Sequence, residues 1–285
     1  MQIDSYSGSS AGAIAGAVMA INVPASALVQ EVHKGGLHGR FPILRAIGVY
    51  LGLCKSIYDS DVYLTRLKNM CKYRRQLSMR PMTVALTDTS VRQHSLTFKS
   101  EQGLLNAAVA SASIPYVFSE RYVAPIGMCV DGSVNRSSFP EDLVVRLLRQ
   151  HSGSIMLLNT MPWPGFRNSI PQNKKVGTKK LLLQWADALY VHGMESIKHQ
   201  FEPPLQFRDG IFSLRVCNRT GRLKQSPSGN LVVHFVAPTH EQFMACGGLD
   251  SAGKLSWRKN DKHVQQMLKV GRDMASSFLK EQCRF

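Results

Sequence analysis

No two cysteines of this 285-residue sequence form a C-x-x-C pair; the six (Cys54, Cys71, Cys129, Cys217, Cys246, Cys283) lie far apart. That spacing excludes a zinc knuckle and a redox dithiol. A chain of this size does not need disulfide staples, so the thiols are expected to be reduced. The nine histidines show no H-E-x-x-H or related ligand spacing, so neither a metal site nor another cofactor is expected. Long apolar runs are missing too. Ala13 to Val23 contains Asn22 and falls short of the roughly 20 residues that a spanning helix needs. With no signal peptide either, the expected location is cytoplasmic or peripheral to a membrane. Acidic residues are scarce: 19 Asp and Glu face 35 Lys and Arg, a net charge of +16. Charged residues nevertheless make up only 19% and hydrophobic residues 44%, which excludes intrinsic disorder.

What is present is an uneven basic excess. Residues 31–80 carry ten Lys and Arg against Glu31, Asp59 and Asp61. Arg167, Lys174, Lys175, Lys179 and Lys180 form a second cluster without an acid. Such a surface attracts polyanions, although a merely solvated basic face fits the charge as well. No nucleic-acid-binding signature accompanies it, so an anionic membrane surface is the expected partner and nucleic acid is not. The oligomeric state is open.

Along the chain, strands alternate with helices. A short strand over Gln2 to Tyr6 leads through the Gly-Ser turn at Ser7 to Gly12 into a helix of small residues, Ala13 to Ala20. Helices are expected over Ala25 to His33, Asp59 to Tyr73, Gly103 to Ser111, Pro140 to Gln150, Leu181 to His199 and Val264 to Lys280. Strands are expected over Met82 to Leu86, Ser95 to Phe98, Met128 to Val130, Ser154 to Leu158, Ile211 to Val216 and Leu231 to Val236. Pro162–Thr178 and Thr220–Gly229, rich in Pro, Gly, Asn and Lys, are expected to be the least ordered. The alternation predicts an α/β fold, a three-layer α/β/α domain around a mainly parallel central sheet.

The turn carries the chemistry. Gly8-Ser9-Ser10-Ala11-Gly12 is a G-x-S-x-G sequence between a strand and a helix, the arrangement of a nucleophile elbow. A serine on so sharp a turn needs minimal neighbours. The helix start that follows offers free N–H groups for an oxyanion. Serine is a weak nucleophile without a base. Asp131, which ends a short strand and precedes Gly132, is the carboxylate best placed to be that base.

These features together resemble the patatin-like phospholipase family. Gly8 to Ala13 (GSSAGA) matches its elbow. Asp131-Gly132-Ser133 matches its D-G-[GA] motif, with Ser133 as a departure. The stretches ALTDTSVRQHSLTFKSE and ASASIPYVF resemble the family's hairpin and the approach to its aspartate. The likeness extends to the strand Ile155–Leu158 and the C-terminal helix, which implies a single patatin-like domain over residues 1–285. The resemblance implies a Ser-Asp dyad that cleaves the carboxylic ester of a phospholipid or other acyl lipid through a Ser10 acyl-enzyme, with Asp131 as base. Gly8, Ala11, Gly12 and Gly132 are the supporting motif residues.

One family feature is missing from these 285 residues: the glycine-rich oxyanion loop of D-G-G-G-x-[RK]-G type on the strand before the elbow. No three-glycine run occurs anywhere. The chain therefore reads as a domain truncated at its N-terminal strand and loop, or as a degenerate member. Two alternatives stay open. The domain is a catalytically impaired or inactive lipid-binding module, or a Ser-Asp-His hydrolase drawing on His234, His240 or His263. Finally, Phe41–Cys54 is apolar with basic flanks Arg40, Arg45 and Lys55. These are the ingredients of membrane contact through Phe41, Ile43, Leu44, Tyr50 and Leu51, although a buried helix is the more ordinary expectation for such a stretch.

Overall fold

Five alanines and two glycines in ten residues make α1, Ala11–Ala20, a good helix with almost no side-chain bulk. Its Ala13, Ile14, Gly16, Ala17, Val18 and Ala20 are buried. The small residues bring the helix close to the sheet: a Cβ on Gly16 would sit 2.7 Å from Met82 Cε. This is a computed structural model, describing residues 3–33, 43–134, 148, 153–163, 194–195, 197–219, 222–247 and 262–282. The chain divides into two units, Met1–Pro140 with Leu255–Lys259, and Glu141–Lys254 with Asn260–Phe285.

In the first unit the sheet is organised around β2, Met82–Asp88, which is buried along nearly its whole length. One edge of β2 is taken by β3, Gln93–Phe98, antiparallel from Met82↔Phe98 to Thr87↔Gln93. Two strands share the other edge. β1, Tyr6–Gly8, runs parallel to it, from Tyr6↔Met82 to Gly8↔Val84. β5, Gly127–Asp131, runs antiparallel, from Asp88↔Cys129 to Leu86↔Asp131. β4, Arg121–Val123, closes the sheet on β5. The ends of β1 and β5 therefore approach head-on along one edge of β2, with Ala85 between them. The expected strand at Gln2 to Tyr6 lies further on, at Tyr6–Gly8, directly against the elbow.

The remaining helices of this unit are α2, Ala25–His33, α3, Ile43–Tyr50, α4, Ser60–Met70, and α5, Leu104–Ser111. Asp59 caps α4 by accepting from Asp61 N–H at 2.9 Å. α1, α4, α5 and β2 enclose one core that includes Ala17, Leu67, Met82, Leu86, Leu104 and Val109. Burial of that apolar surface is the main favourable term holding the unit together.

The second unit has its own sheet, ordered β6 (Gly153–Leu158), β10 (Leu231–Val236), β8 (Phe212–Arg219), β9 (Arg222–Gln225), β7 (Phe201–Glu202). Its aromatic core is built on Phe235, which stacks on Phe212 at 4.6 Å and meets Trp163 edge-on at 5.4 Å. α6, His240–Ala245, begins with a Thr239–Gln242 capping box, and α7 spans Lys262–Gln282.

The α/β class holds. The mainly parallel sheet does not describe these strands: three of the described pairings are parallel (β1·β2, β6·β10, β7·β9) and five antiparallel. For three of the five the reason is loop length. The β2–β3, β4–β5 and β8–β9 connections are too short for the crossover that a parallel pair requires. Arg222–Gln225, inside a stretch expected to be poorly ordered, pairs with both β8 and β7. The helices expected at Pro140 to Gln150 and Leu181 to His199 lie largely outside the described residues, as does Pro162–Thr178.

Candidate active site

β1 ends at Gly8 because the chain must turn sharply to enter α1. Ser10 makes that turn with φ 53° and ψ −129°, a region that a residue with a Cβ occupies at a cost of about 1–3 kcal/mol. Serine at a helix start ordinarily turns its hydroxyl onto the first free N–H groups. Ser10 makes no such cap. Its Oγ instead donates to Asp131 Oδ2 at 2.7 Å. The helix forgoes a capping bond of about 1 kcal/mol, and the hydroxyl is held on a carboxylate.

Asp131 arrives from the opposite direction as the last residue of β5. It is only 3% exposed. Its N–H donates to Ser113 O at 2.9 Å, and its Oδ1 accepts from Ser133 N–H at 2.8 Å. Burial raises its pKa to about 6, against the lowering influence of the hydrogen bonds from Ser10 and Ser133. The carboxyl is thus more basic than an exposed aspartate yet ionised at neutral pH, a suitable state for a proton acceptor.

The glycines divide sharply. A Cβ on Gly8 would lie 2.5 Å from the backbone C and O of Gly12. One on Gly132 would lie 2.2 Å from Ala85 O. Both positions must be bare. A Cβ on Gly12 would meet nothing within 4 Å. The need for minimal neighbours around the serine therefore applies to Gly8 and, in the turn after β5, to Gly132, but not to Gly12. Ala11 and Gly12 are exposed at the start of α1. Among the described residues no hydrogen bond takes the Ala11 N–H. It points from the helix start and is available to an oxyanion.

Sequence reasoning missed the residue that joins these parts. Ser111, wholly buried at the end of α5, accepts from Ser10 N–H at 3.0 Å and donates to Ala85 O at 2.6 Å. Its carbonyl accepts from Gly132 N–H at 3.1 Å. The available signal is a hydroxyl at the otherwise apolar end of LLNAAVAS, because a buried Ser needs a hydrogen-bond partner. Replacing Ser111 with alanine strands the Ser10 N–H. It is expected to cost about 1–3 kcal/mol, read as a lowered urea midpoint. Covalent labelling of Ser10 by a fluorophosphonate should slow as well, because the strained turn loses its anchor. Ser9 and Ser133 add a hydroxyl–hydroxyl bond of 3.0 Å across the two loops.

His234, His240 and His263 belong to the second unit. His234, in the sheet of the second unit, shares hydrogen bonds of 2.8 Å with Ser154 through Nε2 and with Ser213 through Nδ1. The backbone N–H of His240 donates to the Asp209 carboxylate, and the side chain of His263 lies outside the description. Ser10 meets Asp131 directly, with no imidazole between them. Of the residues expected at a membrane, Phe41 and the side chain of Ile43 lie outside the description. Leu44, Tyr50 and Leu51 are exposed, so a buried helix at this segment is overturned. Among the described residues no group of three or more His, Cys, Asp or Glu side chains could hold a metal ion. No described helix is long and apolar enough to cross a membrane.

A protein-family model described as Patatin-like phospholipase matches residues 1–145. The match takes in the elbow, both strands flanking Ala85, and Asp131. It ends short of β6 and α7. A comparison with curated proteins returns no match.

Proposed function

The chain belongs to the patatin-like phospholipase family, and from that footing we propose that it is a lipid acyl hydrolase working through a Ser10–Asp131 dyad. The family supports hydrolysis of lipid esters in general terms. The observation that carries the finer reading is the 2.7 Å hydrogen bond from Ser10 Oγ to Asp131 Oδ2, made by a serine in strained backbone at a helix start.

In this mechanism Ser10 Oγ attacks the carbonyl carbon of an acyl ester while its proton passes to Asp131 Oδ2. The negative charge that develops on the carbonyl oxygen faces the Ala11 N–H and the positive end of α1. Collapse breaks the ester bond, and protonated Asp131 returns the proton to the departing alcohol. A water then enters and gives its proton to Asp131. It attacks the acyl-enzyme, and the fatty acid leaves as Ser10 regains its hydrogen. The direct Ser10–Asp131 contact favours this dyad over a Ser-Asp-His triad.

The Ser10 N–H is occupied by Ser111 and the Gly12 N–H by Ser9 O, so of the N–H groups from the serine into the helix start only that of Ala11 is left as a donor among the described residues. Losing one oxyanion donor typically costs about 10²–10³ in rate. The purified 285-residue chain is accordingly expected to turn over esters slowly, and single-turnover labelling reads its site better than steady-state hydrolysis. Rapid steady-state turnover of a p-nitrophenyl ester by this chain would contradict that expectation.

The pH dependence follows from Asp131. Its carboxyl must be ionised to accept the proton, and its pKa lies at about 6. Fluorophosphonate labelling of Ser10 should therefore be flat above neutrality and fall below pH 6, to about one-tenth at pH 5. A rate that stays level between pH 8 and pH 5 would remove Asp131 as the base. The proposed partner is a lipid-bearing surface of anionic character, in keeping with the net charge of +16.

A further inference from the structure

Residues 44–53 hold a dense run of exposed large apolar side chains. Leu44 is 86% exposed, Ile47 50%, Tyr50 90%, Leu51 60% and Leu53 78%. On α3, positions 44, 47, 50 and 51 fall on one face. The helix is stopped by a Schellman turn: Gly52, at φ 72°, donates to Val49 O at 3.1 Å, and Leu53 N–H donates to Gly48 O at 2.7 Å. In such a turn the residue at Leu53 usually packs back on the residue at Gly48. Gly48 has no side chain to receive it, so Leu53 points outward.

This face is sewn to the loop beside the candidate dyad. Ile57 N–H donates to Tyr116 O at 2.9 Å, and Tyr58 N–H to Val117 O at 2.7 Å. That second segment exposes two more apolar side chains, Ile114 at 45% and Tyr116 at 74%. It follows directly on Ser113, whose carbonyl accepts the Asp131 N–H. The apolar surface thus runs through one hydrogen-bonded piece of chain up to the residue that anchors Asp131.

Resting on the acyl-hydrolase reading above, we propose that Leu44, Ile47, Tyr50, Leu51 and Leu53, with Ile114 and Tyr116, form the face by which this chain docks on an anionic lipid surface. Charge selects that occupant. From Ile43 to Tyr58 the only charged residues are the exposed cations Arg45 and Lys55. A second copy of this chain would bring those cations, and the net charge of +16, against their own kind. An anionic lipid surface accepts the apolar side chains among its acyl chains and the cations among its headgroups. The same contact delivers an acyl ester beside Ser10.

The test uses the full 285-residue chain and vesicles of equal parts phosphatidylglycerol and phosphatidylcholine. The triple variant Leu44→Ser, Tyr50→Ser, Leu53→Ser alters only exposed side chains, so folding is not at stake. The wild type is expected to float with the vesicles, and the triple variant at least tenfold less. Labelling of Ser10 by a soluble fluorophosphonate without vesicles should be equal in both. An Arg45→Gln, Lys55→Gln variant should lose the preference for phosphatidylglycerol. Three results would overturn the proposal: a wild type that does not float, a triple variant that floats as well as the wild type, or a wild-type dimer in sedimentation that the triple variant disperses. The last would assign the face to a second copy. Failure of Ser10 to label would strike the hydrolase reading alone, because flotation is scored without it.

Discussion

Asparagine in place of Asp131 is expected to slow fluorophosphonate attachment to Ser10 by about 10²–10⁴-fold, the usual contribution of a general base, while leaving the protein at least as stable as before. The first half follows from the single contact that Ser10 Oγ makes with Asp131 Oδ2. An amide cannot take the serine proton. The second half follows from burial. Burial raises the folded-state pKa of Asp131 to about 6, from the 3.8 of an exposed aspartate. Between those two values the folded chain binds more protons than the unfolded one, so this group's contribution to stability falls as pH rises through the window. Above about pH 6 it is a constant penalty on the order of 3 kcal/mol. Asparagine keeps the shape and still accepts the Ser133 N–H, but carries no charge to desolvate. The variant should therefore melt at or above the wild-type temperature at pH 7.5, and the gap should narrow at pH 4. A variant that melts well below the wild type at pH 7.5 would show that the carboxylate holds the site together rather than straining it. Stability set aside for reactivity in this way is common at catalytic positions.

The second large effect separates glycines that sequence alone treats alike. Alanine at Gly132 would drive a Cβ to 2.2 Å from Ala85 O, with Ser9 Oγ 2.8 Å away. Backbone at the centre of a buried strand cannot yield, so a loss of more than about 3 kcal/mol is expected, with Ser10 labelling abolished as β5 is pushed off its edge. Gly8→Ala should behave similarly, since its Cβ would strike the first turn of α1. Gly12→Ala should do the reverse. Its Cβ would enter open space, and alanine suits a helix better than glycine, so a gain of up to about 1 kcal/mol is expected. Urea melts of the three variants decide the matter. Equal losses at Gly12 and Gly132 would contradict the packing described here.

The elbow is legible in sequence because its constraints are local. A short strand, two glycines around a serine, and a run of alanines each speak for themselves. Asp131 is legible only as a carboxylate at a strand end, because what makes it a partner of Ser10 is a register spanning 121 residues: both chains leave the same edge of β2 on either side of Ala85. Pattern along the chain does not carry that register. Ser111 escapes for the same reason, since its three partners come from β2, the elbow and the Asp131 loop. The apolar run at Phe41–Cys54 reads as core before it reads as interface, because hydrophobicity does not say which face finds a neighbour. In the fold Leu44, Ile47, Tyr50, Leu51 and Leu53 are exposed. The antiparallel share of the sheets was visible in the short hairpin connections, whereas α/β alternation suggested parallel strands.

The central claim is that Ser10 is the nucleophile and Asp131 its base. The most direct measurement is the rate and position of fluorophosphonate labelling in the full chain, with the modified peptide identified by mass spectrometry. The expected result is a single adduct on Ser10, absent in Ser10→Ala and at least a hundredfold slower in Asp131→Asn. Failure of Ser10 to label at high probe concentration, or labelling of Ser10 at the same rate in Asp131→Asn, would contradict it.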